Sequence, residues 1–337
     1  MSAGSSGAGA GSTPAQLAPI LSAGGPELSR LLHRTEARLA EVAESHGAAL
    51  GQHASATLAA GGKRLRPVLV FLCGGAAGGE RLVRAAAAVE LLHMATLVHD
   101  DVLDRAALRR GRPTVFASGG RLAAAATGDL LFSRAFAELT GTGNADAVRV
   151  LSASSSALAR GELMQRADAW SDAVTPERYL ERCTLKTATL FEASCRLGAT
   201  LGESPAGSAD ALGAFGSRIG LAFQIFDDVL DVAGPTERTG KQRGADLLDG
   251  TVTLPLILAR RRDSELRGLD LRSVVTGPAQ AAALCDRMAL TGSLGEAREE
   301  ALRYVAEAKA ALSDLELPES RREALELVAD GVVERYA

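Results

Sequence analysis

The sequence predicts an all-α fold, on three observations. Apolar residues recur at helical spacing from Pro26 almost to the C-terminus, so each segment would bury one stripe against its neighbours. Aromatic residues make up 4% of the 337 residues and alternating β-branched runs are scarce, which argues against a sheet. Glycine or proline punctuates the periodic stretches at 74–79, 111–113, 141–143, 202–207 and 318.

The first helix is expected from Pro26, because a proline suits an opening turn, and it carries Leu28, Leu31, Leu32, Leu39 and Val42. Further helices are expected over 82–104, 121–139, 146–168, 176–201, 209–232, 252–263, 278–290, 294–315 and 319–336. No internal linker parts them, so 26–337 reads as a single all-α domain of about ten helices. Residues 1–25 are uncharged and rich in Gly, Ala and Ser, and are expected to form a disordered tail.

Composition narrows the function. The net charge of −4 leaves no broad basic surface, so nucleic acid is not expected as a partner. Cys73, Cys183, Cys195 and Cys285 show no CxxC spacing and read as reduced core residues of a cytoplasmic protein. Glu90 and His93 interrupt the longest apolar stretch, so no transmembrane segment is expected, and the uncharged start lacks the basic opening of a secretory signal.

One pentapeptide, DDVLD, occurs twice, at 100–104 and 227–231. On a helix the three aspartates of each copy fall at roughly 0°, 100° and 40°, over one sector of the surface. An isolated acidic box of this kind is commonly a solvated helix end. Here both copies follow strongly apolar segments, LLHMATLVH and LAFQIF, which should be buried. A carboxylate cluster ending a core helix repels itself unless a cation neutralises it. Oxygen ligands without a His or Cys cluster favour a hard ion, and Mg²⁺ completes its shell with water and phosphate oxygens. The basic stretches alternate with the boxes along the chain. GGKRLRP supplies Lys63, Arg64 and Arg66; RRGRP supplies Arg109 and Arg110; Lys186 lies in LKTATLFEA and Lys241 in TGKQRGADL. Two acidic boxes interleaved with cations predict a cage for a magnesium-bridged diphosphate.

GGKRLRP, ELLHMATLVHDDVLDRAALRRGRPT, TGDLLFSRAF, KTATLFEA, FQIFDDVLD and GADLLDGTVTLP together resemble the polyprenyl synthetases, the trans-isoprenyl diphosphate synthases, in the family's own order. The resemblance implies an isoprenoid synthase type I helical bundle with a central active-site cavity, usually homodimeric. It implies head-to-tail condensation of an allylic diphosphate with isopentenyl diphosphate, and Mg²⁺ as cofactor at three ions per site. Carried over residue by residue, it implies that Asp100 and Asp104 bind two of the ions, with Asp101 alongside. Asp227 takes a further one, and Asp228 and Asp231 support it. Arg109, Lys186 and Lys241 are implied to contact the allylic diphosphate. Lys63, Arg66, His93 and Arg110 hold the isopentenyl diphosphate, and Thr187 and Gln224 line the reacting end.

The growing tail should run along the helix that carries the first box. One helical turn, about 5.4 Å, is similar in scale to an isoprene unit. Short-chain members of the family often place an aromatic one turn before the box, where this chain has Ala95 and Thr96, with Leu91, Leu92 and Val89 below. The product is therefore expected to be longer than farnesyl, in the heptaprenyl-to-nonaprenyl range, with geranylgeranyl as the short alternative. Phe132 or Phe136 is a candidate for a lower floor.

Overall fold

The computed structural model describes residues 17–45, 47–59, 62–75, 78–109, 111–205, 207–234 and 242–334. In chain order the helices are α1 (Ala18–Glu44), α2 (Ala48–Ala59), α3 (Leu65–Gly74), α4 (Gly79–Leu103), α5 (Val115–Thr140), α6 (Ala145–Ala167), α7 (Pro176–Cys183), α8 (Thr189–Leu201) and α9 (Ser208–Ala233). They continue as α10 (Ala245–Leu248), α11 (Leu254–Arg262), α12 (Ser264–Gly268), α13 (Leu271–Val274), α14 (Pro278–Leu290), α15 (Ser293–Ser313) and α16 (Glu319–Glu334). A π-helical turn, Thr184–Ala188, joins α7 to α8 without a break. The only strands among the described residues are the two-residue β1 (Leu108–Arg109) and β2 (Arg112–Pro113), paired antiparallel just beyond the first box.

The long helices begin where local chemistry allows. Thr114, Asn144 and Thr175 cap α5, α6 and α7 by accepting backbone N–H groups of Ala117, Ala147 and Arg178. α4 is buried on nearly every face from Leu82 to Val98, so it is a core element rather than a surface amphipath. It packs against α1, α3, α5 and α8, while α9 packs against α8 and α15. The two box-bearing helices thus form the centre of the bundle.

Three expectations need correction. The tail expected over 1–25 falls partly outside the described residues, but Ala18–Gly24 is helical, with Ile20 buried. The break itself is real: Gly25 has φ 74° and ψ 179°, and Pro26 opens the main stretch of α1. Leu17 and Ile20 supply a short apolar stripe that the small-residue composition obscured. Second, α2 and α3 were not expected. α3 is buried along Pro67–Gly74, and an apolar run of that length carries no helical period to read. Third, α4 is long and apolar enough to cross a membrane, yet 72% of its apolar window is buried inside the bundle, as for a core helix. All four cysteines are buried and free, as expected.

Close backbone approaches set the geometry of the centre. A Cβ at Gly216 would lie 2.6 Å from the Phe191 carbonyl oxygen, and one at Gly220 2.5 Å from Cα of Ala188. These glycines are four residues apart and share a face of α9, whose next members are Gln224 and Asp228. The glycines bring α9 against α8 and the π turn, and the polar residues one and two turns later meet them.

Candidate active site

The π turn is where the two boxes connect. Its extra residue leaves Thr189 N–H donating to the Thr184 carbonyl, five residues back, and alters the direction of the side chains between them. Lys186 enters the wall of a cavity of about 180 Å³ that also contains Asp100. The next residue, Thr187, donates to Oε1 of Gln224 at 2.7 Å, and Gln224 Nε2 donates to Oδ1 of Asp228 at 2.7 Å. Tyr179 Oη donates to the other Asp228 oxygen, also at 2.7 Å. Through these partners the π turn is linked to both boxes: to Asp104 by way of Glu162 and Arg166, and to Asp228 by way of Gln224. α6 can approach this turn closely because a Cβ at position 161 would stand 2.6 Å from the Lys186 nitrogen, and the residue there is glycine.

Around the first box the charges alternate. Arg109, on β1, contacts Asp101 at 2.8 Å. Arg166 contacts Asp104 at 2.5 Å and Glu162 at 2.9 Å, and Glu162 contacts Lys186 Nζ at 2.5 Å. Burial pushes the Asp100 carboxyl up to about 6; Glu162 and Asp104 add to the shift while Lys186 and Arg109 oppose it. Desolvation likewise raises Asp101, against the pull of Arg109. Glu162 is held below its usual range by Lys186 and Arg166, which outweigh its burial.

The second box divides its labour. Asp227 is half-buried. Asp228 is buried, and desolvation pushes its carboxyl up to about 7 despite the bonds from Tyr179 and Gln224. Asp231 accepts the backbone N–H groups of Ala245 and Asp246 at 3.1 and 3.2 Å, so both its oxygens anchor the start of α10. These bonds are compatible with the supporting part at the Asp227 ion that the resemblance implies for Asp231. Replacing Tyr179 with Phe removes a donor from a fully buried carboxylate, and is expected to destabilise the fold by about 1–3 kcal/mol in urea denaturation. An unchanged midpoint would show that the hydroxyl does not hold Asp228.

The cations that the resemblance assigns to the isopentenyl diphosphate are more dispersed. Lys63 precedes α3 and Arg66 sits in its first turn, where its guanidinium carbon lies 4.5 Å above the Phe191 ring. Phe191 is 5.5 Å from Phe223, the residue before Gln224, so an aromatic pair links the basic turn to this part of α9. Arg64, from the same motif, is turned away: it adopts φ 49° and pairs with Glu36 and Glu90, both at 2.5 Å. His93 is half-buried on α4. Lys63, Arg66 and His93 are outside the wall of the cavity that holds Asp100. Arg110 and Lys241 lie outside the described residues.

Below Asp100 the cavity is lined by Leu92, Thr96, Phe132, Ser155, Leu158 and Ala159, with Leu103 of the box itself and His99 beside it. Thr96 is in the wall; Ala95 is fully buried and is not. Phe132, rather than Phe136, reaches the lining, with Phe136 stacked behind it at 5.2 Å. Three residues escaped the sequence reading: Glu162 and Arg166, which tie Asp104 to Lys186, and Tyr179. The i,i+4 spacing of Glu162 and Arg166 was readable, but nothing in it distinguishes an active-site pair from a solvated one. Tyr179 gave no signal at all.

Among the described residues no three His, Cys, Asp or Glu side chains converge on one point as a ready metal cage. Buried carboxyls beside separate cations instead suit a partner that brings its own anionic oxygens.

A helical bundle with two aspartate boxes on its central helices, cations around the first and a cavity beside Asp100 is an isoprenoid synthase type I fold. The chain belongs to the polyprenyl synthetase family, whose profile matches residues 48–286, and it is a prenyltransferase. It is 38% identical over 296 residues to the heptaprenyl diphosphate synthase component 2 of Geobacillus stearothermophilus, covering 87% of this chain and 92% of that one. It is 37% identical to the geranylgeranyl diphosphate synthase of Methanosarcina mazei, covering 76% of this chain and 81% of that one. Among solved structures, a polyprenyl synthase from Caulobacter crescentus, complexed with calcium and isoprenyl diphosphate, superposes with a TM-score of 0.85. That match is at 33% identity and covers 95% of this chain and 98% of the other.

Proposed function

We propose that this chain is a Mg²⁺-dependent enzyme that elongates farnesyl or geranylgeranyl diphosphate with isopentenyl diphosphate, head to tail. The all-trans product is in the heptaprenyl-to-nonaprenyl range. The observation that supports this reading is the π turn, which is linked through Glu162 and Arg166 to the first box, beside a cavity, and through Gln224 to the second.

The donor set fits magnesium. Asp100, Asp104 and Asp227 would hold it, since the Asp100 carboxyl is desolvated and crowded by Glu162 and Asp104. Bound Mg²⁺ would supply Lewis-acid stabilisation of the departing diphosphate. Lys186 and Arg109 stand beside the first box to orient the allylic diphosphate, and Lys63, Arg66 and His93 are proposed to hold the isopentenyl diphosphate. Thr187 has its proton committed to Gln224, so its oxygen lone pairs are available to face an allylic cation without attacking it. The apolar part of the lining, from Leu92, Phe132, Leu158 and Ala159, would limit the water around that cation once substrate fills the cavity. From Asp100 to Leu92 the wall descends eight residues of α4, about 12 Å, with no aromatic on that helix to stop the tail. A homodimer in the cytoplasm remains the proposed state.

The name of the Geobacillus relative, a component 2, favours one second reading: a chain that works only together with a different subunit. Incubating the purified chain alone with Mg²⁺, farnesyl diphosphate and labelled isopentenyl diphosphate separates the two. Elongated diphosphates are expected. No turnover until a second subunit is added would establish the two-component reading instead.

A further inference from the structure

A second cavity, of about 270 Å³, opens away from the catalytic one and shares no residue with it. One wall is the loop Asp172–Pro176 that leads into α7; the other is Ile257, Arg260 and Arg261 of α11, with Arg267 of α12. Arginines in the last turn of a helix are ordinarily surface residues that complement its dipole. Arg260 is not: its residue is 7% exposed, and its Nε is buried with no hydrogen-bond partner among the described residues. Its Nη1 donates to the Ser171 carbonyl oxygen at 3.3 Å. Burial depresses its pKa and Asp172 opposes that only in part, so the charge is under-compensated. A buried guanidinium with an idle donor is costly unless something anionic meets it.

The neighbours add positive charge without supplying that partner. Arg267 donates Nε and Nη2 to the carbonyls of Arg260 and Arg261, which fixes the C-terminus of α11 beside the cavity. Arg261 is exposed at its mouth. The nearby carboxylates, Asp172 and Glu177, are exposed and therefore screened by solvent. Asp172 and Thr175 are the other polar members of the lining, and the rest is apolar, from Ala173, Val174, Pro176 and Ile257. The volume lies just under the usual range of about 300–1,000 Å³ for small-molecule sites, and its arginine-rich wall suits an anion rather than an apolar chain.

We propose that this cavity binds a phosphate-class oxyanion, held by Arg260 and Arg261. The site is placed to report on the second box, because Pro176 opens α7 and Tyr179, which bonds Asp228, follows within one turn. The proposal does not depend on product length or on subunit composition.

The test is isothermal titration of the full chain with inorganic phosphate, and separately with glycerol 3-phosphate, in the absence of magnesium. Saturable binding is expected in the parent and in Asp100→Asn alike, weakened at least tenfold in Arg261→Glu, whose exposed position leaves folding intact. Arg260→Gln, checked by circular dichroism, should weaken it similarly. Binding of both ligands would mean that a phosphate head group is recognised; binding of phosphate alone would mean an enclosed inorganic-ion site. No saturable binding, or binding that survives in Arg261→Glu and is lost in Asp100→Asn, would overturn the proposal.

Discussion

Asp100→Asn and Asp227→Asn are each expected to lower turnover by about 10²–10³-fold, the scale seen when one preorganised electrostatic contact to a developing charge is removed. The physical reason is that each asparagine keeps the shape of the side chain while deleting the charge that would hold the metal-bridged diphosphate. Stability should move the other way at the first box. The parent protein keeps Asp100 desolvated and crowded by Glu162 and Asp104, with its carboxyl pushed up to about 6. Neutralising it relieves that burden, so the Asp100→Asn melting temperature in metal-free buffer should equal or exceed the parent's. The two readouts together separate a catalytic loss from a folding loss. Incorporation of labelled isopentenyl diphosphate within tenfold of the parent would remove the boxes from the mechanism.

Thr96→Phe is expected to shorten the product to farnesyl or geranylgeranyl, because it places a ring in the cavity wall one turn below Asp100. Phe132→Ala is expected to lengthen it, since Phe132 lines the same cavity from the neighbouring helix. Ala95→Phe is less informative: Ala95 is fully buried outside that wall, and overpacking there should cost about 1–3 kcal/mol of stability. Mass analysis of the dephosphorylated products reads chain length directly. Thr96→Phe giving the parent's distribution would show that the tail does not grow along this face of α4.

The boundaries of the longer helices were legible because caps and breakers act locally. Gly25 followed by Pro26, Thr175 followed by Pro176, and the Gly and Asn residues around 141–144 each dictate a start or stop within a turn. The helices that escaped, α2 and α3, either lack a polar face to give a period or carry too little amphipathicity to stand out. Candidate residues were legible where chemistry repeats, as in the two DDVLD boxes, or where a cation stands in an apolar stretch, as Lys186 does in LKTATLFEA.

The sequence by itself determined that two carboxylate clusters end buried helices and that cations alternate with them, since helical periodicity and charge spacing are properties of neighbouring residues. Only the tertiary structure decided how those pieces meet. A π turn brings Lys186 to Glu162 and Thr187 to Gln224, which bonds Asp228; Glu162 and Arg166 span from α6 to both Lys186 and Asp104; Tyr179 takes a proton partner 49 residues away in Asp228. Such contacts depend on where backbones can approach, at Gly161, Gly216 and Gly220, and that is a property of packing between helices that no single segment encodes.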